Sequence, residues 1–138
     1  MAYWLVKSEP DAFSWDQQVA NGVEPWTGVR NHQAKRNLMA MAKGDRAFFY
    51  HSNVGREIVG VVEIVREAYP DPSASDGGWV CVDVRAVGPM PRPVTLAAIK
   101  ADPDLADLAL VRQSRLSVVP VSDTHWAHLC RMGGWAGD

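Results

Sequence analysis

Cysteine is scarce in this chain, with two in 138 residues, Cys81 and Cys130. Two cysteines do not make a disulfide framework, so the core must hold the fold, and a reducing cytoplasm is the expected compartment. Long apolar runs are lacking as well. None approaches the ~20 residues that a bilayer-spanning helix requires, so no membrane partner is expected. The opening Met1–Lys7 (MAYWLVK) lacks the basic region, apolar stretch and cleavage site of a secretory signal. Repeats, low-complexity tracts and linkers are missing too. What remains has ordinary globular proportions, 47% apolar and 22% charged. Its length suits a single domain, residues 1–138, with a sizeable core.

Signatures of catalysis are also absent. There is no G-x-S-x-G elbow. His51 and Ser52 are neighbours on a strand and so face opposite ways, which separates a base from its nucleophile. Gly77–Gly78 leads into a strand, with no helix or lysine after it, and does not make a phosphate loop. His125, His128 and Cys130 lie close together, but a fourth ligand is not evident and Cys130 falls on an apolar stripe. A surface histidine pair is favoured over zinc. No metal or cofactor is expected, and binding is favoured over catalysis with His51 or Lys7 as an acid–base.

Charge is nearly balanced in sum, at net −2, but uneven in place. Trp26–Arg56 holds six basic residues (Arg30, Lys35, Arg36, Lys43, Arg46, Arg56) against one acid, Asp45. Glu57–Asp107 holds nine acids against four basic residues. One positive and one negative region suit local steering of a polyanion rather than wrapping of it. Solvated helix and turn surface is the alternative.

The hydrophobic pattern predicts a first strand over Tyr3–Lys7 and, from the Ser14/Gln17 capping box, a helix over Trp15–Ala20. Asn31 can cap a helix over His32–Ala42 with Ala34, Leu38 and Met41 on one face, and Gly44 suits its stop. Strands follow over Arg46–His51 and Glu57–Glu67, the latter apolar on both faces. Pro70–Gly78 reads as a loop. Trp79–Val87 alternates as a strand, with Val80, Val82, Val84 and Ala86 inward. Thr95 caps a short helix to Lys100, which Pro103 breaks, and Asp104–Ala109 can add a turn. A last strand is expected over Ser114–Val121, then a helix over Asp123–Met132 capped by Ser122 and ended by Gly133–Gly134. Five or so strands with short helices between them predict a small barrel or strongly curved sheet, not a doubly wound one.

The residues that point to chemistry sit at strand ends and in one turn. Trp26 precedes a Thr–Gly turn, where its indole can stack on a flat ligand or fill the core. Arg30 and Asn31 can donate to a base edge or phosphate, though Asn31 can equally be only a helix cap. Lys7–Ser8, Tyr50–His51–Ser52 and Arg112–Gln113–Ser114 add polar clusters. An apolar face with directed hydrogen-bonding groups at its rim is what a flat, polar ring requires.

In order along the chain, YWLVKSEP (Tyr3–Pro10), FSWD (Phe13–Asp16), WTGVRNHQA (Trp26–Ala34), GDRAFFYHS (Gly44–Ser52), IVGVVEIVREAYPD (Ile58–Asp71), WVCVDVRAV (Trp79–Val87) and LVRQSRLSVVPV (Leu110–Val121) resemble the EVE domain family. The resemblance covers nearly the whole chain. It implies an α+β, mainly β fold: a PUA-like β-barrel with flanking short helices, and a pocket related to that of YTH-type readers of modified RNA bases. It further implies a non-catalytic reader of a modified base, a modified cytosine, in DNA or RNA. By matching motif, the ligand-binding residues would be Lys7, Ser8, Trp26, Val29, Arg30, Asn31, Tyr50, His51, Ser52, Arg112, Gln113 and Ser114. Lys35, Arg36 and Arg56 would hold neighbouring phosphates. A nuclease or helicase companion would be a separate protein. An enzyme acting on a free modified nucleotide or nucleoside, with His51 or Lys7 as its acid–base, and accessory binding of structured RNA, indifferent to modification, are the alternatives.

Overall fold

The computed structural model describes residues 1–137. Its strands are β1 (Tyr3–Ser8), β2 (Val23–Pro25), β3 (Arg46–His51), β4 (Glu57–Pro70), β5 (Val80–Thr95) and β6 (Val118–Val121). Its helices are α1 (Trp15–Asn21), α2 (His32–Ala40), α3 (Leu96–Lys100), α4 (Ala109–Arg112) and α5 (Asp123–Gly133), with a 3-10 turn at Pro103–Leu105. The strands form one sheet in the order β2-β5-β4-β3-β1-β6. Only β1 and β3 run parallel; the other neighbours are antiparallel.

The expected mixed, mainly β class with short flanking helices is present. The barrel is not closed, however. β2 and β6 are the two edges, and the result is a curved open sheet. The register of β4 against β5 shifts at four places between Ile58 and Tyr69, and such bulges bend and twist a strand pair.

The sheet is apolar on both faces because both are covered. On one, Trp126 of α5 stacks on Phe48 at 3.9 Å and on Tyr3 at 4.3 Å between ring centroids. On the other, Trp15 of α1 meets Phe49 edge-on at 5.3 Å. Phe48 and Phe49, neighbours on β3, are both fully buried, as are Ile58, Val61, Val62 and Ile64 of β4.

Several element bounds differ from expectation. β2 has no counterpart among the elements expected from the sequence. α2 ends at Ala40, with Met41 as its C-cap, rather than at Ala42. β4 runs on through Pro70 and β5 through Thr95. Pro89 pairs with Gly60 of β4, whereas Pro91 and Pro93 fall in the register shift between Pro89 and Val94, and past Arg85 the outer edge of β5 has no partner strand. The three prolines point outward while Met90 and Val94 enter the core. Pro103 opens the 3-10 turn instead of merely ending α3. Finally, β6 starts only at Val118: Arg112 closes α4, and Gln113–Ser117 is a turn rather than the opening of a strand.

Candidate nucleic-acid interface

Pairing of β1 with β3 puts Lys7 opposite Tyr50 and Ser8 opposite His51 at the strand ends. Side chains alternate along a strand, so the Lys7/Tyr50 pair and the Ser8/His51 pair leave the sheet on opposite faces. Two hollows result, with Lys7 on the rim of both.

The larger is a cleft of about 420 Å³ between the end of β1, Phe13 and the turn after β2. Trp26 N donates to Val82 O at 2.7 Å, which carries the β2–β5 pairing one residue further. Gly28 then turns the chain with φ +86°, a conformation few side chains tolerate. The turn is held from behind by Asp71, whose fully buried carboxylate accepts from Gly28 N (2.9 Å), Ser73 N (2.7 Å), Ser73 Oγ (2.6 Å) and Arg30 Nη1 (3.0 Å). Burial alone would push the Asp71 carboxyl up. The hydrogen bonds from Ser73, Gly28 and Arg30 outweigh it and hold the group far below the usual carboxylate range.

Trp26 is a core residue that also borders the cleft. It is 7% exposed and packs edge-on against Phe49 at 5.5 Å and Phe13 at 6.1 Å, yet it also forms part of the cleft wall. Val29 and Arg30 complete that wall. Ser8 Oγ donates to Phe13 O at 2.5 Å, which leaves its oxygen free to accept. Lys7 Nζ donates to Ser114 O at 2.9 Å, and burial lowers its pKa. Glu24 adds a carboxylate to the cleft, with one oxygen already accepting from Asn21 Nδ2 at 3.0 Å.

The other candidates fall elsewhere. Tyr50, Ser52 and Arg56 line the second hollow, of about 260 Å³, together with Lys7 and Ser114. Asn31, Gln113 and Ser114 line a shallow third one of about 330 Å³. Asn31 is indeed a helix cap, since its Oδ1 accepts from Ala34 N at 2.9 Å. His51 lines none of the three: its Nε2 accepts from Trp15 N at 3.0 Å. Burial lowers its pKa, against the opposing pull of Glu57 and Asp16, in keeping with a neutral acceptor ring. Arg112 is also outside them, 3.7 Å from Asp107 on the surface.

Lys35 stands over the Trp79 ring at 6.0 Å, the Arg30 guanidinium at 5.8 Å, and His32 stacks on it at 5.0 Å. Arg36 is exposed nearby on α2. His128 Nε2 lies 2.6 Å from Asp102 Oδ2, with Asp104 beside them, while Cys130 is buried away in the core. Sequence reasoning missed Asp71, Trp79, Phe13 and Glu24 as parts of the site. Of these, Phe13, Asp71 and Trp79 sat inside matched motifs, whereas Glu24 carried no local signal.

The family model described as "EVE domain" matches residues 2–132. Human thymocyte nuclear protein 1 is 35% identical over an alignment covering 88% of this chain and 69% of its own length. The crystal structure of human THYN1 protein in complex with 5-methylcytosine-containing DNA superposes with a TM-score of 0.90, at 32% identity over 96% of this chain and 98% of that one. A Rhodopseudomonas palustris protein solved by NMR superposes at 0.93, with 61% identity over 100% and 97% of the two chains. A YTH domain from Zygosaccharomyces rouxii, 18% identical with a TM-score of 0.61 over 95% and 85%, shares the fold.

Proposed function

This chain belongs to the EVE domain family, and on that footing we propose that it reads a modified cytosine in DNA or RNA by holding the base, flipped from its strand, in the 420 Å³ cleft. One observation carries the reading. The cleft sets an indole beside directed polar groups (Lys7, Ser8, Glu24, Arg30), on a backbone that matches a relative whose structure holds 5-methylcytosine-containing DNA.

In this mechanism Trp26 and Phe13 give the ring its apolar wall. The free carboxylate oxygen of Glu24 accepts from the exocyclic amine, the kind of contact by which carboxylates read cytosine. Lys7 and Ser8 meet the opposite polar edge. Arg30 is held back by Asp71 and serves first to fix the turn, with its remaining exposed N–H groups turned to the strand. Lys35 and Arg36, with Arg56 on the far side, hold phosphates, which position the strand without reading it. The reaction-based alternative loses its imidazole, because His51 Nε2 is committed to Trp15 N and lies outside the cleft. We place this activity in the cytoplasm, in keeping with two free buried thiols.

A buried methyl contributes ~0.8 kcal/mol, about fourfold in affinity. A polar substituent that finds a partner adds ~1–3 kcal/mol. Fluorescence anisotropy on matched DNA and RNA strands with plain, methyl, hydroxymethyl and carboxyl cytosine therefore tests the reading. Tighter binding to a modified strand is expected, rising with substituent polarity and lost in Trp26→Phe and Glu24→Gln. Equal affinities for every strand would overturn it. Trp26→Phe is preferred to alanine because Trp26 also fills the core.

A further inference from the structure

A hollow of about 260 Å³ lies on the other side of Lys7, apart from the cleft. It is bounded by the turn from β3 to β4, by α3, and by the turn after α4. Lys7, Arg56 and Lys100 converge on it from three elements, and no carboxylate lines it. Among the described residues, none of these three cations is within ion-pair distance of an acid. Like charges gathered without a counter-charge repel one another, and Lys7, which is partly buried while Arg56 and Lys100 are exposed, also bears a desolvation cost.

A second observation concerns Tyr50. The residue is 3% exposed as a whole and lines the hollow, which puts a phenol beside the three cations. The rim is also conformationally costly: Asn53 and Arg56 hold φ of +67° and +49°, and neither is a glycine. Ser52, Asn53 and Ser114 supply further donors, while Leu96 and Leu110 form an apolar side.

We propose that this hollow is a phosphate subsite, which takes the phosphate of the nucleotide adjoining the flipped base and lays its sugar against Leu96 and Leu110. The strand then passes over Lys7, whose ammonium faces both ligands. The assignment of the neighbouring nucleotide rests on the base-reading function proposed above; the binding of phosphate does not.

Amide chemical shifts of the full chain, titrated with inorganic phosphate alone, test the subsite directly. Saturable shifts are expected at Ser52–Arg56 and Lys100, and not at Trp26–Gly28. They should disappear in the Arg56→Gln/Lys100→Gln double variant. In oligonucleotide binding the same variant should weaken plain and modified strands by one common factor. It should also reduce the slope of log K against log salt by about 0.7, the value for one phosphate held on a single strand. Lys43→Gln/Arg131→Gln, with the same change in net charge, should leave both readouts near wild type.

Absence of phosphate-induced shifts, or an equal loss in the control variant, would overturn the subsite while leaving the base reading intact. Phosphate shifts together with no preference for any modified strand would keep the subsite and remove the base reading. Strands without terminal phosphates separate the two sources: a slope change with them marks an internal phosphodiester, and one seen only with a 5′-phosphate marks a chain end.

Discussion

At the scale of single residues, the site depends on side chains that never touch a ligand in the proposed mechanism. Asp71 is the foremost. Its carboxylate is fully buried and gathers the Gly28 amide, the Arg30 guanidinium and Ser73 into one cluster. Asp71→Asn keeps the shape but removes the charge and turns one acceptor into a donor facing other donors. Arg30 is partly exposed, which tempers the loss, so a destabilisation of ~2 kcal/mol is expected. Strand binding should fall by more than that loss of folded protein explains, because the turn bearing Trp26 and Gly28 loosens. Urea midpoints and anisotropy on the same samples check both, and unchanged binding by a folded D71N protein would refute the tether.

His51 gives a pH dependence with a definite sign. Its folded pKa is below the ordinary value of about 6.5 because burial disfavours the charged ring. As pH falls through about 6.5, the unfolded chain takes up the proton first, so stability is full above that value and declines below it. Losses from Asp45 and Asp71, whose pKa values are lowered by hydrogen bonds that outweigh burial, come in more acid solution. His51→Gln can still accept from Trp15 N through its amide oxygen. Its urea midpoint should vary less than wild type between pH 7 and 5, and an equal fall in both would remove His51 as the cause.

At the scale of elements, α1 is seated on the sheet by one close approach. A Cβ built on Gly60 of β4 would lie 2.5 Å from the six-membered ring of Trp15. Gly60→Ala must therefore push the indole off the strand. A loss of ~1–3 kcal/mol is expected, as for overpacked cores, and Trp15 N would draw away from His51. Thermal unfolding with tryptophan fluorescence measures both effects, and a wild-type profile would show that α1 moves freely.

The same packing explains what was legible in the sequence. β3 and β4 could be read because a strand covered on both faces is a continuous apolar run, and α1, α2 and α5 because Ser14, Asn31 and Ser122 are true N-caps. β2 could not. Val23–Pro25 is three residues long, and its strand character comes from pairing with Asp83–Arg85 across the sheet. The second half of β5 hid behind its prolines, two of which fall in a register shift against β4 that only the folded sheet reveals. At the site, the motifs gave Lys7, Ser8, Trp26, Val29 and Arg30, which the fold brings into one cleft. They could not separate His51, which faces α1, from Tyr50, which faces the second hollow. Nor could they show Asp71, whose role exists only because a distant loop folds back on Gly28.

At the scale of the whole molecule, charge sets two opposing fields. The net charge of −2 repels a polyanion at long range, while Lys7, Lys35, Arg36 and Arg56 attract it at close quarters. Which field dominates depends on screening. At 0.1 M salt the Debye length is ~10 Å, so a phosphate near Lys35 scarcely senses acids on the rest of the protein. At 0.01 M it is ~30 Å, and the whole charge is felt. The plot of log K against log salt should thus be straight near physiological salt and flatten at the lowest concentrations. Exposed Asp104 and Asp107 offer a direct control, because the Asp107–Arg112 pair lies on the surface and contributes little. Asp104→Asn/Asp107→Asn should restore the straight line at low salt and leave affinity at 0.15 M within about twofold. Lys35→Gln/Arg36→Gln should instead lower the slope at every concentration, by about 0.7 for each phosphate that the variant no longer holds. A wild-type line that stays straight down to 0.01 M would mean that the acidic residues lie outside the path of the bound strand, with only the local cations setting its affinity.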